Sequence, residues 1–350
     1  MGIRVLFEDH AVEHYNEGLT AGLVGLGCEV RRVGLRPPLF GVVRTNQDLA
    51  RLLRLARDYD IVHLNNAFHL DAISLLTLSG KKIVITHHGG GVHSAMGGKE
   101  RAFWALRLRS LKAEHIAGIP LATISRFASS SIRSQVGVSP TVVYHGVERG
   151  WFSAPQNRGG ARLRLGIPEH RTVAVWVGRG TAYKDPATLL RTAIRLRESN
   201  PEVFFVMKLW HSRPTDLDIN SFVKRHELED TVRLVYDIPY ESVPELYGMA
   251  DLFVHTSPFE GFGLVVLEAM ASGLPAVVAN VGGPSEYVGE GGIKFAAGDD
   301  AQLAGIVASL SADQDERKRL GKAATMIASR FTWKRAAEAY LQIYERALKQ

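Results

Sequence analysis

Residues Leu252–Gly273, LFVHTSPFEGFGLVVLEAMASG, carry the reading of this 350-residue chain. An apolar strand runs to Ser257, Pro258 stops it, and a glycine-flanked turn leads into a helix that ends near Ser272 with Gly273 as its C′ residue. Strand, glycine turn and helix form one parallel-sheet unit, whose ligands gather at the C-terminal ends of the strands. Gly261 and Gly263, on either side of Phe262, let a ligand approach the backbone closely. The amides of Gly263, Leu264 and Val265 then lie at a helix N-terminus, a place suited to a diphosphate. Glu260 and Glu268 are eight residues apart, and Glu268 lies one turn below Leu264. Because a carboxylate repels phosphate, Glu260 is expected to accept hydroxyls of a sugar and Glu268 those of a ribose. The plain alternative is a pair of solvated acids at the end of a helix.

Outward from this stretch the texture repeats. Arg4–Phe7, Ile61–Leu64, Ile83–Thr86, Leu121–Ile124 and Thr141–Tyr144 read as strands of one domain. Val173–Val177, Val203–Lys208, Val232–Val235, Leu252–Thr256 and Ala276–Ala279 read as strands of a second, with helix-period segments between. Ser153–Ala161, SAPQNRGGA, has no periodicity and is expected to be the linker. The expected domains are therefore 1–152 and 153–332. Trp333–Leu348, with Ala336, Ala337, Tyr340, Leu341 and Tyr344 on one stripe, reads as a terminal helix within 333–350.

Composition excludes several classes. With 46% apolar and 22% charged residues the chain is an ordinary globular one. No apolar run is long enough to span a bilayer, and no basic leader precedes the first strand, so a cytoplasmic protein is expected. Cys28 is the only cysteine, so neither an intrachain disulfide nor a thiolate metal cluster can form. The charge of +6 favours an anionic partner, but no basic stripe with interleaved aromatics argues for nucleic acid.

Two further clusters follow strand ends. Gly178-Arg179 and Lys184 come after Val173–Val177, with Asp185 and Pro186 as N-cap and first residue of the next helix. Two cations there can neutralise a leaving diphosphate without a metal ion, although either alone is also an ordinary surface charge. Thr86-His87-His88 follows the strand from Ile83 and leads into Gly89, Gly90 and Gly91. A neutral imidazole there can donate to a sugar hydroxyl, or be no more than a polar turn residue.

These residues resemble glycosyltransferase family 4, the retaining group with the GT-B fold. The likeness rests on Gly178-Arg179 with Lys184, on Glu260 and Glu268 within EGFGLVVLEAMASGLPAV, and on Gly282-Gly283 followed by Glu286. It implies an α/β protein of two Rossmann-like domains facing across a cleft, with the terminal helix crossing back to the first. It implies a hexosyltransferase that moves a sugar from a UDP- or GDP-sugar donor and needs no cofactor or metal. By the same resemblance the basic pair contacts the diphosphate, the glycine loop offers amides, Glu260 and Glu268 hold sugar and ribose, and His88 contacts the donor sugar. The first domain, which takes the acceptor in this fold, departs from the pattern. Its opening turn Glu8–Glu13 lacks Gly-Gly, Asn65 and Asn66 stand where histidine is common, and His145-Gly146-Val147 replaces Asn-Gly-Val. In the second domain Leu209-Trp210-His211 replaces a glycine-rich turn. The acceptor, whether glycan, lipid-linked or small molecule, is left open.

Three other readings bear testing. Asp216-Leu217-Asp218 spells an Asp-x-Asp tripeptide that binds Mn²⁺ or Mg²⁺ in metal-dependent transferases, though Asp218 also suits the N-cap of the next helix. A non-catalytic subunit that only binds a nucleotide sugar is compatible with the altered first domain. Finally, Lys99–Lys112 combines Arg101, Arg107, Arg109 and Lys112 with Phe103, Trp104, Leu108 and Leu111. This segment is either a packed helix with a basic outer face or a helix that rests on an anionic membrane.

Overall fold

The structure is a computed structural model that describes residues 2–9, 13–34, 46–65, 70–89, 98–153, 158–209 and 217–350. It divides into two compact units, residues 1–148 with 331–350, and residues 149–330. The first unit holds one six-stranded sheet of β1 (Arg4–Glu8), β2 (Glu29–Val33), β3 (Ile61–Asn65), β4 (Lys82–His87), β5 (Leu121–Thr123) and β6 (Thr141–Val142). The second holds another, of β7 (Thr172–Val177), β8 (Val203–Leu209), β9 (Val232–Tyr236), β10 (Leu252–His255), β11 (Ala276–Ala279) and β12 (Gly292–Phe295). Every pairing in both sheets is parallel, so each strand reaches the next through a crossover rather than a hairpin.

Strand order decides where ligands can enter. The first sheet runs β2-β1-β3-β4-β5-β6, and its order reverses between β1 and β3. The second runs β12-β11-β10-β7-β8-β9 and reverses between β7 and β10. At such a reversal the connections leave the two neighbouring strands toward opposite faces of the sheet. A crevice then opens at the strands' C-terminal ends.

The expected strands are present, and the structure adds β2 and β12. Both are edge strands. EVRRV leaves most of its positions partly or fully exposed, and GIKF buries only Phe295, so neither shows the continuous apolar run of a central parallel strand. β10 stops at His255, two residues short of the end expected at Ser257.

The irregular linker expected over Ser153–Ala161 is corrected in part. Arg149–Ser153 is a 3-10 turn and Arg158–Arg164 is helical, while residues 154–157 lie outside the described ones. The two glycines disguise that helix. Arg162 anchors it from outside: its buried guanidinium donates to the carbonyls of Met249 (2.9 Å), Glu169 (2.9 Å) and Arg171 (2.8 Å) and pairs with Asp251 at 2.7 Å. Tertiary bonds of this kind override weak local propensity.

Each unit has its own core. In the second, Trp176, Leu190, Phe205, Met207, Val254, Val277 and Leu303 are packed together. In the first, one face of the sheet packs Val62, Ile85, Leu108 and Leu111, and the other packs Val5, Phe7 and Tyr15. The terminal helix Trp333–Lys349 joins that second face through Ala336, Ala337, Tyr340, Ile343, Tyr344 and Ala347. Leu341, expected on the same stripe, is only partly buried.

Helix Gly98–Ile116 settles part of the membrane question. Leu108 and Leu111 belong to the core, and Arg107 is buried with Glu114 at 3.4 Å and Ser110 at 2.6 Å. Arg101, Arg109 and Lys112 are exposed, while the side chains of Lys99 and Phe103 lie outside the described ones. Leu108, Leu111 and Arg107, which the membrane reading needs at the surface, are thus committed to the interior, and the helix is a packed one with a solvated basic face. No helix among the described residues is long and apolar enough to cross a membrane.

Candidate functional site

The reversal between β7 and β10 brings together residues that are 76 apart in sequence. After β7 the chain passes Gly178 and Arg179, turns, and enters helix Pro186–Ser199. Asp185 caps that helix, its Oδ1 accepting from the Thr188 amide at 3.1 Å, and Pro186 opens it, as the sequence predicts. Asp185 sits at φ 47°, a left-handed conformation that costs a non-glycine residue energy and throws the preceding Lys184 out of the helix line. Thr256, just after β10, ties this turn to the sheet. Its hydroxyl donates to the Lys184 carbonyl at 2.9 Å and accepts from Trp176 Nε1 at 3.0 Å.

Lys184 Nζ pairs with Glu260 Oε2, with side chains only 16% and 12% exposed. His255 Nε2 approaches the same oxygen at 3.3 Å, too poorly aligned for a good hydrogen bond. Burial pushes the His255 imidazole below its ordinary value, and Lys184 adds to this, outweighing the pull of Glu260, so the histidine is neutral. Burial alone would raise the Glu260 carboxyl. The Lys184 ammonium together with His255 instead draws it down to about 2. Glu260 is therefore an ionised acceptor with its charge matched, not a solvated helix-end acid.

The loop beyond Glu260 is shaped by a second glycine segment. Gly283 donates its amide to the Glu260 carbonyl at 2.9 Å, and Tyr287 donates its hydroxyl to the carbonyls of Phe262 (3.0 Å) and Gly263 (2.9 Å). Gly282 lies at φ 76°, and a Cβ there would stand 2.5 Å from the Glu260 carbonyl oxygen. Gly263 is the N-cap of helix Leu264–Ala271 at φ 81°. Among the described residues the amides of Gly263, Leu264 and Val265 donate to no protein acceptor, so they stand available at the helix N-terminus. Helix end and C′ glycine match expectation: the cap is Ser272 and Gly273 lies at φ 87°.

The remaining expected residues divide. Glu268 is buried and accepts from the Tyr240 hydroxyl at 3.0 Å. Nearby Lys208, at the end of β8, is buried as well. Burial lowers its ammonium to about 8, with Asp237 and Glu268 working in the opposite direction. Arg179 is exposed and makes no ion pair or hydrogen bond among the described residues. The structure thus joins Lys184 to Glu260 and leaves Arg179 apart, in solvent.

In the first unit, His88 Nε2 lies 2.9 Å from Asn65 Oδ1. His87 ends β4 wholly buried, its ring nitrogens without hydrogen-bond partners among the described residues and its imidazole pushed well below the ordinary value by burial and then by Arg107. Asp218 caps helix Ile219–Arg225, accepting from the Ser221 amide at 3.0 Å and hydroxyl at 2.7 Å. Asp216, Trp210, His211, Asn66, Gly90 and Gly91 lie outside the described residues, as do positions 10–12 of the opening turn.

His255, Thr256, Tyr240, Tyr287 and Lys208 are additions that the sequence did not announce. His255, Thr256 and Lys208 close apolar strands, the ordinary appearance of satisfied core groups, while Tyr240 and Tyr287 lie in short turns with no periodic pattern. Only strand order shows that their side chains converge.

Two family descriptions match the chain. "Glycosyl transferases group 1" matches residues 160–326, and "Glycosyltransferase Family 4" matches residues 7–150. Among curated relatives, D-inositol 3-phosphate glycosyltransferase of Corynebacterium kroppenstedtii is 33% identical over 220 residues, 60% of this chain and 48% of that protein. Spore coat protein SA of Bacillus subtilis is 31% identical over 240 residues, 63% of this chain and 61% of that protein. The matched part of the chain thus spans about half the length of the first relative and less than two thirds of the second. Among solved structures, Anabaena HepE in complex with UDP superposes with a TM-score of 0.79 at 19% identity, over 99% of this chain and 100% of that one. Sucrose-phosphate synthase of Thermosynechococcus elongatus gives 0.78 at 20% identity, over 98% of each chain. These similarities show the fold, which is the α/β GT-B fold of two parallel-sheet units. Between them the two family descriptions take in both units, and the chain belongs to glycosyltransferase family 4.

Proposed function

We propose that the protein is a retaining glycosyltransferase that takes a sugar from a UDP- or GDP-sugar without a metal ion or other cofactor. The observation that carries this reading is the Lys184–Glu260 pair beside the available amides of Gly263, Leu264 and Val265. A diphosphate needs positive charge and donors, and a sugar hydroxyl needs an acceptor; a bare carboxylate beside phosphate would defeat both. With Lys184 neutralising Glu260, the two functions can share one strand end. Anabaena HepE, which has the same fold, is solved with UDP bound, and this supports a nucleotide donor here.

In this proposal the helix amides and Lys184 hold the diphosphate, and Arg179 swings from solvent to meet the growing negative charge of the leaving group. Glu260 orients the sugar, Glu268 the ribose. The departing phosphate oxygen takes the acceptor's proton as the new glycosidic bond forms on the same face, so no protein nucleophile is required. Asp218 is engaged in capping, which supports a metal-independent route.

A thermal-shift screen against UDP- and GDP-sugars tests donor binding, since a ligand of the native state stabilises it by mass action. One donor class is expected to raise the melting temperature, and that donor is expected to be hydrolysed slowly in excess EDTA as fast as without it. Loss of hydrolysis in EDTA that returns with Mn²⁺ would refute the metal-free route. Because Arg179 is exposed and makes no ion pair or hydrogen bond among the described residues, Arg179→Ala is expected to leave the melting temperature unchanged and to lower turnover about a hundredfold. Full turnover in that variant would remove Arg179 from the site.

A further inference from the structure

We propose that His255 is a positioning residue that takes over as the hydrogen-bond partner of Glu260 when the diphosphate of a nucleotide sugar draws Lys184 away. Two groups converge on one oxygen: Lys184 Nζ and His255 Nε2 both lie against Glu260 Oε2, the second at 3.3 Å. His255 ends β10 and is 3% exposed, and among the described residues its Nε2 makes no well-aligned hydrogen bond. A buried polar group left in that condition costs stability, so one aimed at a carboxylate marks a bond that is made in another state of the site.

The chemistry of the pair fixes its direction. Glu260 is ionised, and a carboxylate oxygen only accepts. Two lone pairs facing each other at 3.3 Å would repel, so Nε2 carries the hydrogen and the neutral imidazole is the Nε2–H tautomer. The two partners differ in mobility. Lys184 carries its charge on a flexible four-carbon stem, from a turn whose backbone is tied to Thr256, and such an ammonium can swing from one anion to another. The His255 ring is held instead, nearly parallel to that of Phe253 at 6.4 Å, on a strand paired with β11 through Val278.

In the proposed reaction Lys184 holds the diphosphate. Glu260, whose side chain is 12% exposed, would then be a buried charge without its counter-ion and would drift toward protonation. A protonated carboxyl is a poorer acceptor for a sugar hydroxyl. A small rotation of the carboxylate toward Nε2–H keeps it ionised and in place. Charge acts in the same sense. Among the described residues Lys184 and Glu260 are the charged groups that act on His255, the first lowering and the second raising its hold on a proton, whereas Phe253 of its own strand and Val278 of β11 are apolar. Removal of the ammonium therefore strengthens the bond from the imidazole. The transfer rests on the glycosyltransferase reading; the contact of Nε2–H with Glu260 does not.

Lys184→Met imitates the departure of the ammonium without any ligand. Two-bond ¹H–¹⁵N correlation spectra of protein labelled with ¹⁵N-histidine read the ring, and the His255 signals are identified by their loss in His255→Gln. Native His255 is expected to be protonated on Nε2. In Lys184→Met it is expected to take a second proton at a pH about one unit or more above that in the double variant Lys184→Met with Glu260→Gln, because an unmatched carboxylate favours the imidazolium. A native ring protonated on Nδ1, or equal titration in the single and double variants, overturns the proposal. Saturation with UDP or GDP is expected to move the native Hε2 resonance downfield as the bond tightens, and bound nucleotide that leaves it in place overturns the transfer. Should neither nucleotide bind, the donor reading fails and the Lys184→Met spectra alone decide the role of His255. With the UDP- or GDP-sugar found in the screen, His255→Phe is expected to lower turnover about tenfold. It should also move the acid limb of the pH profile upward, since the carboxylate loses a partner that favours its charged form. His255→Gln, whose amide can donate from a similar place, is expected to recover most of both effects. An unmoved limb in His255→Phe, or no recovery in His255→Gln, overturns the positioning role.

Discussion

Lys184→Met is expected to lower turnover about a thousandfold and to take about 3 kcal/mol from stability at neutral pH, the latter only while Glu260 is ionised. The kinetic part follows from the loss of a fixed cation beside the diphosphate amides. The thermodynamic part follows from linkage. The Glu260 carboxyl stands at about 2 in the folded protein against 4.5 ordinarily. A depressed carboxylate stabilises the fold fully above its unfolded value, and the contribution is lost as pH falls from 4.5 toward 2. A gap of that size corresponds to about 3 kcal/mol, supplied by Lys184 and His255 against the opposing effect of burial. Denaturant melts of native protein and variant should therefore differ strongly at pH 7 and by less than half as much at pH 3, the difference vanishing only below about pH 2. An equal difference at both values would show that the variant loses packing, not an ion pair.

Gly282→Ala is expected to cost about 3 kcal/mol or more and to abolish donor binding as well. Two strains add. The residue must keep a left-handed backbone at φ 76°, and its Cβ would sit 2.5 Å from the Glu260 carbonyl oxygen and 3.0 Å from the Glu260 nitrogen. Neither contact is a flexible side chain that can move aside. Relief requires the Glu260–Gly263 loop to shift, and with it the carboxylate and the helix amides. Gly298→Ala separates the two causes, because Gly298 has φ 82° but faces open space. That control should lose only the conformational cost of about 1–2 kcal/mol. Equal losses at the two positions would show that close packing of Gly282 on Glu260 matters little.

How far the sequence reveals the site depends on whether its parts are local. Asp185, Asp218 and Gly273 are legible because a cap is decided by three or four consecutive residues, and all three act as read. The Glu260–Glu268 stretch is legible for the same reason, since its glycines, proline and apolar run fall within one strand-turn-helix unit. The partners are not. Nothing local to Lys184 indicates that Glu260 is its counter-ion, or that Thr256 bonds its carbonyl. Those contacts arise because the sheet places β7 beside β10 although two strands intervene in sequence. Tyr240 reaches Glu268 from a short 3-10 turn that has no periodic signal at all. The edge strands β2 and β12 escape for a complementary reason: their pattern is that of half-solvated chain, and pairing alone makes them strands.

Asn65 shows a subtler limit. From sequence it is a departure from the family's usual histidine, and that loss weakens any functional reading of the first unit. In the fold it is buried at the end of β3, its amide groups bonded to Glu8 and its Oδ1 2.9 Å from His88 Nε2. The same residue reads as a departure from the pattern in one dimension and as a buried, hydrogen-bonded side chain in three.

Diffraction from crystals of the protein soaked with UDP or GDP, whichever stabilises it, tests the central claim most directly. The account predicts diphosphate oxygens within hydrogen-bonding distance of the Gly263, Leu264 and Val265 amides, with Lys184 Nζ against a phosphate oxygen or still bridging to Glu260. A nucleotide bound with its phosphates away from the N-terminus of helix Leu264–Ala271, leaving those amides and Lys184 untouched, would contradict it.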